Sequence, residues 1–199
     1  MIFIFQFLFL VLTYFIAAIP FGLFLTKIFT GKDIRQFGSK NIGATNVTRV
    51  VGKKLGFATL ILDGLKGAIM LVVARFVFFE SSYLHFYLVL VSAVAVVGHI
   101  YPIYLNYKGG KGVATSIATL LALDFTVGFL TICFWIMFFA LTRISAVASL
   151  IAIFSSIILS WAYDAPASQT IFCAFLFILI LVRHKENIAR MLMGDEKKL

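Results

Sequence analysis

The sequence predicts an all-α integral membrane protein, a polytopic bundle of seven transmembrane helices, one of them short, with the N-terminus outside and the C-terminus cytoplasmic. Three observations predict it. Hydrophobic residues make up 62% of the 199 and the mean hydropathy is +1.07, far above the roughly 45–50% apolar content of soluble domains. The apolar residues fall into runs close to the ~20 that one helical crossing needs, which leaves no room for a separate soluble domain and makes residues 1–199 a single transmembrane domain. Finally, the 17 lysines and arginines stand against 8 acids and sit mostly in the short segments between runs, as the positive-inside rule asks. The net charge of +9 therefore reads as topology, and no nucleic-acid partner is expected.

Residues 2 to 28 form the first crossing, with Pro20 and Gly22 as a kink. Met1 to Leu12 lacks the positive region and small-residue cleavage site of a removable signal peptide, so it stays in that crossing. Residues 27 to 54 carry Lys27, Lys32, Arg35, Lys40, Arg49, Lys53 and Lys54 against Asp33 alone, and this loop is cytoplasmic. Apolar runs follow over about 56 to 79 and 84 to 105, then a nearly continuous one from 113 to 163, then 168 to 183 ahead of a basic tail. The long run decides the topology. One break, at Arg143, gives six crossings and puts the tail opposite the basic loop; a second break at Asp124, whose side chain can cap the helix from Phe125, gives seven and a short helix of about 112 to 123. Glu80, Asp124 and Asp164 then face outside. That short helix rises only ~18 Å, less than the ~30 Å hydrocarbon core, so five crossings is the runner-up.

Asp63 and Lys66 lie three apart inside the second run, on one helix face, and should pair with each other. Intramembrane charges are functional candidates by default, but a neutralised pair that positions the bundle is the favoured reading here. Arg75 can snorkel to an interface. Cys133 and Cys173 lie inside apolar runs and read as small core hydrophobes.

Three polar clusters fall on the cytoplasmic side of the seven-helix arrangement, where they can converge. Gly38 to Arg49 packs Ser39, Asn41, Thr45, Asn46, Thr48 and Arg49 together, and an arginine fork with backbone and hydroxyl donors suits a phosphate dianion. The plain alternative is a solvated turn with a cap at Ser39 or Thr45. Next, Gly98-His99 leads to Lys108-Gly109-Gly110-Lys111-Gly112-Val113-Ala114-Thr115. Glycines let amide N–H groups curl inward and flanking lysines add charge, which favours an anion over a bare hinge. This is not a Walker A loop, because Gly112 follows Lys111 where Ser or Thr is required. Last, His184, Asn187 and Arg190 share a face if the final helix continues, and the stretch ends in Gly194-Asp195-Glu196.

Together the three clusters resemble the bacterial acyl-phosphate-dependent glycerol-3-phosphate acyltransferases of the PlsY type. The likeness covers nearly the whole chain, in the same order, and Leu62 to Gly67 is similar to the family's second-helix segment. Tyr107 stands where phenylalanine is frequent and Lys185 where arginine is common. The resemblance implies a seven-helix enzyme of the bacterial inner membrane, active site towards the cytoplasm, that moves an acyl chain from acyl phosphate to the 1-hydroxyl of glycerol 3-phosphate. Lysophosphatidic acid and phosphate would be the products, with no cofactor and no metal. Membrane lipids, and the enzyme that makes acyl phosphate, are the further partners it suggests.

By matching the motifs, Ser39 and Arg49 belong to the glycerol 3-phosphate side, with Asn41 and Thr45 beside them, and Lys108 to Gly112 to the acyl phosphate. Asn46, Lys108 and Lys111 are expected to donate to the oxyanion, His184 and Asn187 to orient the attacking glycerol, and His99 and Glu186 to line the substrate sites. The base has two readings. His184 can take the hydroxyl proton; a phosphate oxygen of the donor can take it instead, which is favoured because acyl phosphate is already activated. The His-x-x-x-x-Asp pair of the acyl-CoA acyltransferases is absent. An anion or phosphate-ester transporter is the competing class, disfavoured by the lack of an internal repeat and by polar clusters at one membrane face and not at the midplane.

Overall fold

A computed structural model describes residues 2–199, and among them all regular structure is helical. The chain divides into two compact units, one running through Thr119 and the other from Leu120 to Leu199. In the first lie α1 (Ile2–Ala17), α2 (Phe21–Thr30), α3 (Ala44–Val50), α4 (Lys53–Val77), α5 (Leu84–Ile100) and most of α6 (Val113–Leu123). The second holds α7 (Phe125–Thr142), α8 (Ser145–Ala162), α9 (Ala167–Arg183) and α10 (Lys185–Leu192).

Five helical segments are long and apolar enough to cross a membrane: Ile2–Thr30, Lys53–Val77, Leu84–Leu105, Phe125–Thr142 and Ser145–Ala162. A sixth arises if α9 and α10, bent by 61°, count as one span. The remaining predicted crossing is α6, whose 11 residues rise only about 16 Å. Large apolar side chains such as Phe3, Phe57, Phe76 and Phe125 lie on the outside, the arrangement that a lipid solvent favours.

The breaks follow the residues that predict them. Pro20 has no amide hydrogen to continue a helix, and α1 stops at Ala17 before α2 resumes at Phe21. Asp124 accepts a hydrogen bond from the Val127 amide at 3.1 Å and so caps α7. Its other oxygen accepts the Gln169 side-chain amide at 2.9 Å. Arg143 closes α7 in the left-handed conformation, φ 58°.

Small and hydroxyl-bearing residues let the membrane helices approach. Ser149, Ala152, Ser156 and Ser160 of α8 are buried, as are Cys173, Leu176 and Ile180 of α9. The Trp135 indole N–H donates to Ser149 Oγ at 3.1 Å. In the first unit Met70, Leu71 and Ala74 of α4 and Val91, Ala95 and Val96 of α5 are buried.

Candidate active site

Between α2 and α4 the basic segment is folded and not a loose loop. Ile34, Ile42 and Val47 form a small core under it, packed by Leu23, Val50, Val51, Leu55 and Leu105. Asp33 accepts the Arg35 backbone amide at 3.0 Å and its guanidinium at 2.6 Å. That bonded guanidinium holds the Asp33 carboxyl at about 2, below its ordinary value.

Asn46 organises the turn above. Its Oδ1 accepts the Ser39 amide at 2.9 Å, while its Nδ2 donates to the carbonyls of Asn41 at 2.8 Å and Phe37 at 3.1 Å. With 1% of its surface exposed and both ends of its amide engaged, Asn46 holds the loop instead of pointing at a ligand. The oxyanion-donor expectation for this residue is therefore corrected: its donors are spent on backbone carbonyls. Asn41 Oδ1 accepts the Gly43 amide at 2.8 Å, an Asx turn that launches α3. No side chain caps that helix, so the cap reading of Ser39 and Thr45 fails. Ser39, Asn41, Thr45 and Arg49 are each partly exposed along this loop and helix.

The glycine-rich segment returns over the end of α5. Gly109 N–H donates to the Ile100 carbonyl at 3.1 Å and Gly110 N–H to the His99 carbonyl at 3.2 Å. These two amides thus bond within the chain, where the sequence suggested that they face a phosphate. Gly110 is required for a different reason, since a Cβ there would collide with the His99 ring. Gly112 has φ +88° and turns the chain into α6. Lys108 is exposed and Lys111 half-buried on either side. The first-turn amides of α6 follow directly, and such groups have no partner inside their own helix.

Beneath the loop, Asp63 and Lys66 of α4 form the predicted pair, Nζ to Oδ1 3.1 Å, with both side chains nearly inaccessible. His99 Nδ1 faces the same Asp63 oxygen at 3.6 Å, an electrostatic contact longer than a hydrogen bond. The ring is 4% exposed, so His99 lies behind the loop.

The third cluster lies at the bend between α9 and α10. His184 is buried and its Nδ1 lies 2.8 Å from the Ile180 carbonyl. A carbonyl only accepts, so Nδ1 carries the hydrogen and Nε2 is the nitrogen able to take a proton. Asn187 and Arg190 share a face as the spacing requires, and one carboxylate joins them. Asn187 Nδ2 donates to Glu196 Oε1 at 2.7 Å, and Arg190 Nε to Glu196 Oε2 at 2.6 Å. Gly194, at φ +78°, turns the tail back to bring Glu196 there. Sequence reasoning gave Glu196 no role; an acid two residues past a glycine that ends a helix is the signal that was available. Glu186, by contrast, is exposed in the first turn of α10.

Comparison with known proteins bears on the whole of this arrangement. A family model described as glycerol-3-phosphate acyltransferase matches residues 7–194. A glycerol-3-phosphate acyltransferase of Desulfotalea psychrophila is 41% identical over 194 residues, covering 96% of this chain and 97% of that protein. Another, from Rhodospirillum rubrum, is 42% identical over 191 residues, covering 94% and 87%. Among solved structures, PlsY, an integral membrane glycerol 3-phosphate acyltransferase, superposes in its glycerol 3-phosphate form with a TM-score of 0.91 at 34% identity, over 98% of this chain and 95% of that one. Its lysophosphatidic acid form gives 0.88 at the same identity and coverage. With a family model and relatives matched over nearly its full length, the chain belongs to the glycerol-3-phosphate acyltransferases, integral membrane enzymes of the PlsY kind.

Proposed function

We propose that this enzyme takes its acyl group from acyl phosphate and places it on the 1-hydroxyl of glycerol 3-phosphate, releasing lysophosphatidic acid and phosphate. This is the first acylation of phospholipid synthesis. The observation that carries the reading is that one compact unit builds two separate basic loops, each leading into a short helix: Ser39–Arg49 into α3, and Lys108–Gly112 into α6. Both substrates carry phosphate, and the donor's tail is compatible with the apolar helices around it. Arg49, with Ser39, Asn41 and Thr45, holds glycerol 3-phosphate through the guanidinium fork and hydroxyl donors. Lys108, Lys111 and the first-turn amides of α6 face the acyl phosphate, since a helix N-terminus and two cations favour an anion there.

In the reaction the glycerol oxygen attacks the acyl carbonyl carbon, and the new C–O bond forms as the carbonyl oxygen becomes negative. Lys108 and Lys111 stabilise that oxyanion. The bond from carbon to the phosphate oxygen then breaks and phosphate leaves. The hydroxyl proton goes to a phosphate oxygen of the donor, so atoms and charge balance without a protein base, cofactor or metal. A second acceptor is favoured by one observation, the Nδ1 bond of His184 to Ile180, which presents Nε2 as a base. His184 and Asn187 otherwise orient glycerol. The enzyme sits in the bacterial inner membrane with seven crossings, α6 the short one, and with its basic loops and C-terminus cytoplasmic.

Purified enzyme in detergent should form lysophosphatidic acid from glycerol 3-phosphate with palmitoyl phosphate and none with palmitoyl-CoA. Product from the thioester would overturn the donor assignment, and so would the absence of product from either donor in folded enzyme. Turnover in His184→Ala separates the bases. Near-normal kcat leaves the proton with the substrate, a loss of about 100-fold or more in kcat with KM for glycerol 3-phosphate unchanged assigns it to His184, and a loss carried by that KM assigns His184 to orienting glycerol alone.

A further inference from the structure

The buried ions of α4 are given no part in that chemistry, yet their residues reach the break after α1, the end of α5 and the start of α6. Lys66 Nζ, besides pairing with Asp63, donates to the Ile19 carbonyl at 2.9 Å, at the break made by Pro20. The Asp63 carboxylate faces His99 Nδ1. The other nitrogen of the same ring, Nε2, abuts Gly110 so closely that no Cβ fits between them. One turn into α6, Thr115 Oγ donates to the Asp63 backbone carbonyl at 2.7 Å. The ring is thus wedged between a fixed carboxylate and the loop backbone. Its own carbonyl accepts the Gly110 amide.

We infer that Asp63 is a positioning residue for the acyl-phosphate site, acting through the wedged His99 ring to hold the Lys108–Gly112 loop at its working height, with Lys66 balancing its charge. The carboxylate draws the imidazole toward α4 electrostatically. The imidazole sets where Gly110 rests, and Gly110 sets where the neighbouring Lys111 and the start of α6 lie. Glycine at 110 is needed for the ring to seat at all. Only the kinetic consequence rests on the acyltransferase reading.

A plain stabilising pair and a positioning device respond differently once charge is rebalanced. Replacing a buried ion pair by groups of similar shape is often tolerated by the fold, so Asp63→Asn with Lys66→Met should stay folded while His99 loses its carboxylate. In the detergent-purified full chain we expect this double variant to keep its melting temperature within a few degrees. The amides of Gly109 and Gly110 should nevertheless exchange with deuterium about tenfold faster, because their bonds to α5 open locally. With palmitoyl phosphate varied, kcat/KM should fall about 10- to 100-fold, as small misplacements at a reacting centre do, and KM for glycerol 3-phosphate should stay unchanged. Wild-type exchange at Gly109 and Gly110 in the double variant would overturn the inference, as would an equal loss on both substrates. If the double variant aggregates, His99→Leu, which leaves the Asp63–Lys66 pair intact, is read by the same exchange measurement with the same two outcomes. Because exchange needs no turnover, a wild type without acyltransferase activity would sink the functional reading and leave this test standing.

Discussion

Asn46 and Arg49 lie one turn apart on α3 and come from the same polar stretch, yet the structure separates their work. Asn46 is enclosed and bonds three loop positions, whereas Arg49 is partly exposed in the last turn. Asn46→Ala strips a partner from the Ser39 amide and from the carbonyls of Phe37 and Asn41, and because these partly buried groups regain some water the cost is about 1 kcal/mol for each bond lost. We expect a fall of several degrees in melting temperature and loss of activity towards both substrates together. Arg49→Lys should leave the melting temperature alone and raise KM for glycerol 3-phosphate about tenfold, since lysine cannot make the bidentate contact. An unchanged KM for glycerol 3-phosphate would remove Arg49 from that site. Both residues were visible in the sequence as a polar cluster. What could not be read there was which amide would be enclosed, because that depends on Ile34 and Val47 packing beneath the loop.

At the scale of elements, the helix ends were the most legible part of the chain. Pro20, Asp124 and Arg143 each break a helix where a missing amide hydrogen, a side-chain acceptor or a left-handed residue demands it. The glycine-rich loop is legible in the sequence, but the direction of its amides is not: the fold gives those of Gly109 and Gly110 carbonyl acceptors on α5. The tail after α10 was the larger gap. Glu196 bridges Asn187 and Arg190 through a turn made by Gly194, and the Leu199 amide donates to the Arg143 carbonyl at 2.9 Å. Glu196→Gln keeps an acceptor for Asn187 but loses the ion pair with Arg190, whose side chain is 36% exposed. Such a half-exposed pair contributes up to about 1 kcal/mol. The expected outcome is a small drop in melting temperature with a several-fold loss in kcat, whereas Glu196→Ala, which also abandons the Asn187 amide, should lose more of both.

For the whole molecule, the charge distribution carries the orientation argument. A reporter that works only in the cytoplasm should be active when fused after Leu199, and one that works only outside should be active when fused after Glu80. Reversal of one reporter alone would make the number of crossings between Glu80 and Leu199 even, overturning the seven-crossing arrangement and moving α6 out of the membrane, while reversal of both would invert the bundle and overturn the orientation. The sequence alone determined that the chain is a helical membrane protein, where its helices break, that Asp63 meets Lys66, and to which family it is similar. Those features depend on composition, on local capping chemistry and on residues three or four apart, all of which are written in short stretches of chain. Only the tertiary structure decided that Asn46 faces inward, that His99 is wedged between Asp63 and Gly110, and that Glu196 joins Asn187 to Arg190. Each of these depends on segments distant in sequence or on a chain reversal, and a buried polar group takes whichever partner the packing brings within reach.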